Sequence, residues 1–352
     1  MRDMEQLVDL YTDYLIATNH SATATGLSDL LDNSISHDKI TRMLKKGAFD
    51  ARYLWKRVKK VVREIEDEEG CLIIDDTIVQ KEWTDENEIV CYHYDHTKGR
   101  SVKGFNILNM LYYNKDISIP VSFEVIRKDK VYTDINGNKR RKSTKTKNEL
   151  MRDMITQAIK NDIKFTYILS DSWFSSKENF EFITNKNKHF IMALKNNRLF
   201  ALSKEDKYKG KFIRVDEIEL QDKEAIKGYV KGYNKEVLLV KRVFKNKDGT
   251  IATLNLVCSD TSLKGKDVST IYQKRWKVEE YHKSLKSNTS LSKSPTKTVV
   301  TQISHLVMSM ISFFKLECLK IKHNLNHFAL KAKILIKAQL SALKEIQRLQ
   351  YG

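Results

Sequence analysis

Two short apolar runs, each ending in an aspartate, limit what this chain can become. Cys71-Leu-Ile-Ile-Asp75 and Phe165-Thr-Tyr-Ile-Leu-Ser-Asp171 each read as a buried strand that presents a carboxylate at its C-terminal end. Between them, Phe105–Tyr113 and Ile119–Ile126 read as two further strands joined by the turn Asn114-Lys-Asp116. A polar, Lys-rich loop from Arg127 to Thr146 then leads into a helix over 147–160. After Asp171 come a helix over 176–185 and a fifth strand, His189–Lys195.

Three strands, helix, strand, helix, strand is the order of a ribonuclease-H-like core with mixed pairing, so the expected class is α/β, a mixed sheet flanked by helices. Residues 212–220, 226–233, 236–244 and 250–257 alternate or run apolar, and Asn246-Lys-Asp-Gly249 turns between the last two. They predict a β-rich insertion. A long amphipathic helix from Ser294 to about Lys322 and an Ala/Leu/Lys helix over 328–349 close the chain. Residues 1–66 read as helices: Ser36 caps a turn that puts Ile40, Met43 and Leu44 on one face, and Tyr53–Ile65 carries Lys56, Arg57, Lys59, Lys60 and Arg63. Two readings of that segment stand side by side, a small DNA-binding domain and a helical cap whose basic side faces solvent. The expected division is 1–66 helical, 67–200 first part of the core, 201–262 β insertion, 263–322 core helices and 323–352 the last helix.

The 352 residues suffice for a large core plus an accessory unit, and 63 Lys+Arg against 45 Asp+Glu give a net charge of +18. A polyanion is the partner that benefits most from such a field. Cys71, Cys91, Cys258 and Cys318 are scattered, without a metal-binding spacing, and read as thiols in a reducing compartment. The charged N-terminus lacks the apolar stretch of a signal peptide. The most apolar helix, around Leu306–Phe314, is interrupted by Lys315 and Glu317, short of the roughly 20 residues of a membrane span. A cytoplasmic protein without a membrane partner is expected.

The candidate chemistry centres on Tyr272-Gln-Lys-Arg275-Trp-Lys-Val-Glu279 and its continuation to Lys286. On one helix Tyr272, Arg275, Glu279 and Lys286 fall on one side. A stripe of phenol, guanidinium, carboxylate and ammonium is not a core face. With Asp75 and Asp171 brought to one sheet edge, Glu279 completes three carboxylates suited to a hard ion, Mg²⁺ or Mn²⁺, two of which serve an in-line phosphoryl displacement. Asp76 points away from Asp75 on a strand, so one of the two ligates, and Asp76 with Thr77 supports the loop. Arg275, Lys283 and Lys286 would grip phosphates and Tyr272 would stack or hydrogen-bond beside them. The alternative is a solvated helix on which Glu279 pairs with Arg275 or Lys283 at i,i+4. Trp276 and Val278 are expected against the sheet, and Trp173 and Phe174 locking the turn after Asp171. His93 and His96 have zinc-like spacing without a matching cluster elsewhere, so Tyr94–Lys103 is expected to be a polar loop near the active edge.

These residues resemble the DDE transposases of bacterial insertion sequences, specifically the insertion sequence 4 group, over roughly residues 35 to 315. That family carries Tyr-x2-Arg-x3-Glu-x6-Lys, matched by Tyr272, Arg275, Glu279 and Lys286; Asp-x-Thr, matched by Asp75-Asp76-Thr77; and an Asp followed by an aromatic, matched by Asp171-Ser-Trp173-Phe174. The resemblance favours Asp75 over Asp76 as ligand and places a β-rich domain before the third acid. It implies binding of double-stranded DNA at inverted repeats, metal-dependent cleavage, transfer of 3′ ends to target DNA, and a homodimer on DNA. A DNA-binding protein that no longer cuts and a nuclease without strand transfer are the competing readings.

Overall fold

The computed structural model describes residues 2–95, 98–246 and 248–351. Four helices come first: α1 (Arg2–Ala17), α2 (Ala24–Leu30), α3 (His37–Lys46) and α4 (Ala51–Ile65). Ser36 and Asp50 cap α3 and α4 by accepting the backbone N–H of Lys39 and Tyr53. Ile40, Met43 and Leu44 are buried, as the 3.6-residue period requires. Of the α4 cations, Arg57 pairs with Glu5 and Asp9 of α1, and Arg63 pairs with Glu66 and donates to the carbonyls of Asn161 and Asp162. Lys56, Lys59 and Lys60 face solvent.

The sheet begins with β1 (Cys71–Gln80), β2 (Cys91–Asp95), β3 (Arg100–Asn114) and β4 (Ile117–Val125). β1 does not end at Asp75: it runs on to Gln80, paired antiparallel with β3 from Cys71↔Tyr113 to Gln80↔Gly104. Gly104 is required there, because a Cβ would lie 2.2 Å from the Val79 carbonyl oxygen. Of the loop expected at 94–103, Tyr94, Asp95 and Arg100–Lys103 instead pair in the strands β2 and β3, with His93 buried 3.4 Å from the Cys91 thiol, while His96 lies outside the described residues. The Lys-rich loop is not structureless either: β5 (Lys130–Thr133) and β6 (Lys139–Lys142) form a separate two-stranded ribbon.

Next come α5 (Lys147–Lys160), β7 (Tyr167–Ser170), α6 (Lys177–Asn185), β8 (His189–Leu194), β9 (Leu199–Ala201), α7 (Lys204–Tyr208), β10 (Ile213–Arg214), β11 (Ala225–Val230), β12 (Val237–Lys245) and β13 (Ile251–Cys258). The strand expected over 212–220 reduces to the two residues of β10 and a 3-10 turn. β7 lies parallel between β1 and β8, and β13 then adds antiparallel to β8. The strand order β10-β9-β11-β12-β13-β8-β7-β1-β3-β2 therefore makes the insertion a continuation of the core sheet. This is a mixed sheet flanked by helices, with an N-terminal helical region and a strand-rich insertion, as a ribonuclease-H-like fold requires.

Four helices complete the chain: α8 (Gly265–Gln273), α9 (Trp276–Asn288), α10 (Val299–His323) and α11 (His327–Tyr351). At 25 residues α10 is, by length and composition, long and apolar enough to cross a membrane, contrary to the shorter span expected from Lys315 and Glu317. Most of its apolar stretch is buried inside the protein. Ser304 and Ser312 donate to the carbonyls of Leu44 and Thr12, and His305 meets the Tyr11 hydroxyl at 3.0 Å. One hydrophobic core thus runs from α1 to α10. At the far end Glu317 accepts from the Ser118 N–H and from Lys320, and contacts His327 at 2.9 Å. Cys71, Cys91 and Cys258 are buried free thiols, and Cys318 is half-buried.

Candidate active site

The parallel ladder between β1 and β7 ends at Ile74↔Ser170. Asp75, further along β1, and Asp171, just past the end of β7, come next, so they stand where the two strands part. Asp75 is buried; one of its oxygens accepts the Asp76 N–H at 2.8 Å and the other accepts Arg275 Nη1 at 3.0 Å. Asp171 is half-buried and accepts the Trp173 N–H at 3.0 Å.

Tyr272 to Lys286 is not one helix. α8 and α9 part at Lys274 and Arg275, where Arg275, Lys277 and Val278 donate to the third residue back rather than the fourth. The break turns Arg275 inward, so that its guanidinium lies between Asp75 and Glu279, the latter at 3.6 Å. Tyr272 does not stack in the open: it is buried and its hydroxyl donates to the Ser170 carbonyl at 3.2 Å, pinning α8 beside Asp171. Lys286 donates to Thr77 Oγ1 at 2.8 Å, while Asp76 accepts from Lys147 at 2.7 Å and from Asn106 at 2.8 Å. Lys283 does not converge with them; its ammonium sits 5.1 Å over the Phe328 ring.

The three acids do not close on one another as a set. Asp75, Glu279 and His282 do, with a ligand atom from each within 4.8 Å of the others. His282 was not singled out from the sequence, although Glu279-x2-His282 is the spacing that puts two ligands on one helical face. It is buried, with Nε2 3.1 Å from the Asn109 amide nitrogen. Trp276 and Trp173 are not packed as expected: they are 63% and 48% exposed, whereas Val278 and Phe174 are fully buried. Lys147 and Lys195 lie 5.4 and 5.7 Å from the Trp173 ring.

Burial pushes the Asp75 carboxyl up to about 7, Asp171 and Glu279 add to that, and only Arg275 opposes them strongly. Burial also raises Asp171, against the pull of the Trp173 N–H. His282 is driven down to about 3 by burial and by the nearby Lys286 and Arg275, so its imidazole is neutral and able to ligate. Burial likewise lowers Lys286. Arg275 lies between Asp75 and Glu279, and Asp75, Glu279 and His282 together offer two oxygens and a nitrogen to a divalent cation. The oxygen donors suit Mg²⁺ or Mn²⁺, and an added imidazole suits Mn²⁺ better than Mg²⁺.

No curated protein matches the chain. Residues 1–211 match the family model described as DDE superfamily endonuclease, and residues 138–314 match the one described as transposase DDE domain. The second match contains both Asp171 and Glu279, and the first contains both Asp75 and Asp171. The chain belongs to the DDE superfamily of transposases and endonucleases.

Proposed function

We propose that this protein is the transposase of a bacterial insertion sequence of the insertion sequence 4 group, which binds the inverted repeats at the ends of its element, cleaves there and transfers the 3′ ends to target DNA. One observation carries the reading: Asp75, Glu279 and a neutral His282 bring a ligand atom each within 4.8 Å of one another, with Arg275 between the two acids. Asp75, Asp171 and Glu279 would hold two Mg²⁺ or Mn²⁺ ions, with His282 beside them. When bound, such ions activate the attacking oxygen and stabilise the leaving 3′ oxygen.

Around that centre the chain's own groups have distinct work. Arg275 and Lys286 supply charge to the phosphates flanking the cut, and Tyr272 positions the helix that carries Arg275. Asp76 and Thr77 hold Lys147 and Lys286 in place. DNA recognition is assigned to residues 1–66, whose Lys56, Lys59 and Lys60 face outward.

A homodimer fits α11, where Ile336, Leu340, Leu343, Ile346 and Leu349 are each at least half exposed along one side. At ~100 Å² each they would bury ~1,000 Å² over two chains, the lower bound for a specific interface.

The test is a duplex carrying the element's end, taken from DNA flanking the gene, incubated with Mn²⁺ and a supercoiled target. Joined products are expected. Asp75→Ala, Asp171→Ala and Glu279→Ala should each abolish cleavage with DNA binding retained. Cleavage without joining would leave a nuclease, and binding without cleavage by the native chain would leave an inactive DNA-binding protein.

A further inference from the structure

The β5–β6 ribbon is hard to account for by stability alone. Between Arg127 and Lys147 the chain carries nine Lys/Arg and two Asp, a net +7 out of +18 for the whole protein. Both acids are spent internally. Asp129 accepts from the Thr144 N–H and hydroxyl at the root. Asp134 builds the tip, accepting the N–H groups of Asn136 and Asn138 and pairing with Arg140. Among the described residues Lys130, Lys139, Arg141 and Lys142 make no ion pair.

The register makes matters worse for the isolated protein. Lys130 stands directly opposite Lys142, and like charges in that position destabilise a ladder. Every residue of the two strands is exposed except Arg141, which is half-buried, so no apolar face repays the order of the strands. Ile135 at the tip is fully exposed, and Val131 and Tyr132 are 56% and 43% exposed. An ordered, strongly cationic ribbon without a buried face is built for a polyanion.

Its position says which one. Just past the C-terminal root, Lys147 donates to Asp76 at 2.7 Å and lies over Trp173. At the N-terminal root Lys128 donates to the Tyr92 carbonyl at 2.6 Å. The ribbon therefore rises from the rim of the candidate active site. A two-stranded ribbon is of a size that the major groove of B-form DNA admits. At ~3.4 Å per residue the arm reaches roughly 20 Å, over half of one helical turn.

We infer that the β5–β6 ribbon is a DNA-gripping arm that holds the duplex next to the cut phosphate, with Lys130, Lys139 and Lys142 on its backbone and Ile135 at the groove. This rests on the reading of the protein as one that acts on DNA. The arm adds affinity without touching the reacting phosphate.

The experiment is a salt titration of binding to a random-sequence duplex of about three helical turns, without metal. The chain with Lys130→Thr, Lys139→Thr and Lys142→Thr is compared with the native one. Each phosphate contact contributes about 0.9 to the slope of log K against log salt, so the slope should become shallower by about two to three units. Affinity at physiological salt should fall on the order of 10–100-fold. A thermal midpoint equal to the native one shows that the fold is intact. A photoreactive residue at Ile135 should cross-link to the duplex. A slope unchanged within half a unit, or cross-linking only to a second protein chain, overturns the arm. Native protein that cuts and joins DNA while the triple variant keeps the native slope sinks the arm and leaves the transposase reading standing. Native protein that never cuts, with a slope that still depends on the three lysines, does the reverse.

Discussion

Arg275→Gln asks whether the guanidinium occupies the place of a cation. Asp75 titrates near 7 because burial raises it and Arg275 holds it down. Its folded pKa lies above the unfolded value of 3.8, so the folded chain binds the extra proton. Stability therefore falls as pH rises from about 3.8 to about 7 and then levels off. Without Arg275 the carboxyl keeps its proton longer and the decline continues beyond 7. Ionisation of Asp75 stabilises the native chain by RT ln(1 + 10^(pH − pKa)), which is ~0.8 kcal/mol near pH 7.5 and ~2 kcal/mol near pH 8.5. Near pH 5.5 it is close to zero. The variant should show that growing deficit, with a few tenths more from the half-exposed contact to Glu279. Urea denaturation at the three pH values, with and without Mn²⁺, measures it. A divalent cation at about 100 times its dissociation constant adds ~2.7 kcal/mol. That gain should be larger in the variant, where no guanidinium competes, and should close the gap. A deficit that does not change with pH, or that Mn²⁺ leaves in place, would show that Arg275 merely packs.

Lys286→Met should make the salt slope of DNA binding shallower by about 0.9, whereas Lys283→Met, whose ammonium sits on Phe328, should leave it unchanged. Burial would raise Glu317, but the His327 hydrogen bond and Lys320 more than reverse this and its carboxyl lies below 4.5. It therefore stabilises the fold above pH 4.5 and ceases to as pH falls further, so Glu317→Gln should cost on the order of 3 kcal/mol at neutral pH and flatten the acid limb of the stability curve. Leu340→Glu with Leu343→Glu on the exposed side of α11 should yield monomers by sedimentation with an unchanged thermal midpoint, since neither side chain enters the core.

Local periodicity carried much of this fold. The short apolar runs around Leu72–Ile74 and Ile168–Ser170 could only be interior strands, and Asp75 and Asp171 followed from them. The period at Ile40, Met43 and Leu44 fixed the buried face of α3. What escaped was set by non-local geometry. No Gly or Pro marks the break at Lys274 and Arg275, yet it decides that Arg275 turns inward and Trp276 outward. The ribbon had turn residues in Asp134-Ile-Asn-Gly137, but Lys and Arg on both strands hid the alternation that announces a hairpin. β12 and β13 read correctly as strands, while their union with β8 depends on pairing across the chain.

The contact between Asp75 and Arg275 joins residues 200 positions apart. A ribosome adding roughly 5–20 residues per second needs about 10–40 s to travel that distance. During that time the outward lysines of α4 and the whole cationic ribbon are already outside, while the third acid is not yet made. The N-terminal helices also wait, because α10, which fills the space between α1 and α3, follows later still. On the proposed reading, a half-made chain would carry the groups that hold DNA before the acid that completes the cutting site, so the order of synthesis itself would guard the chromosome against unfinished copies.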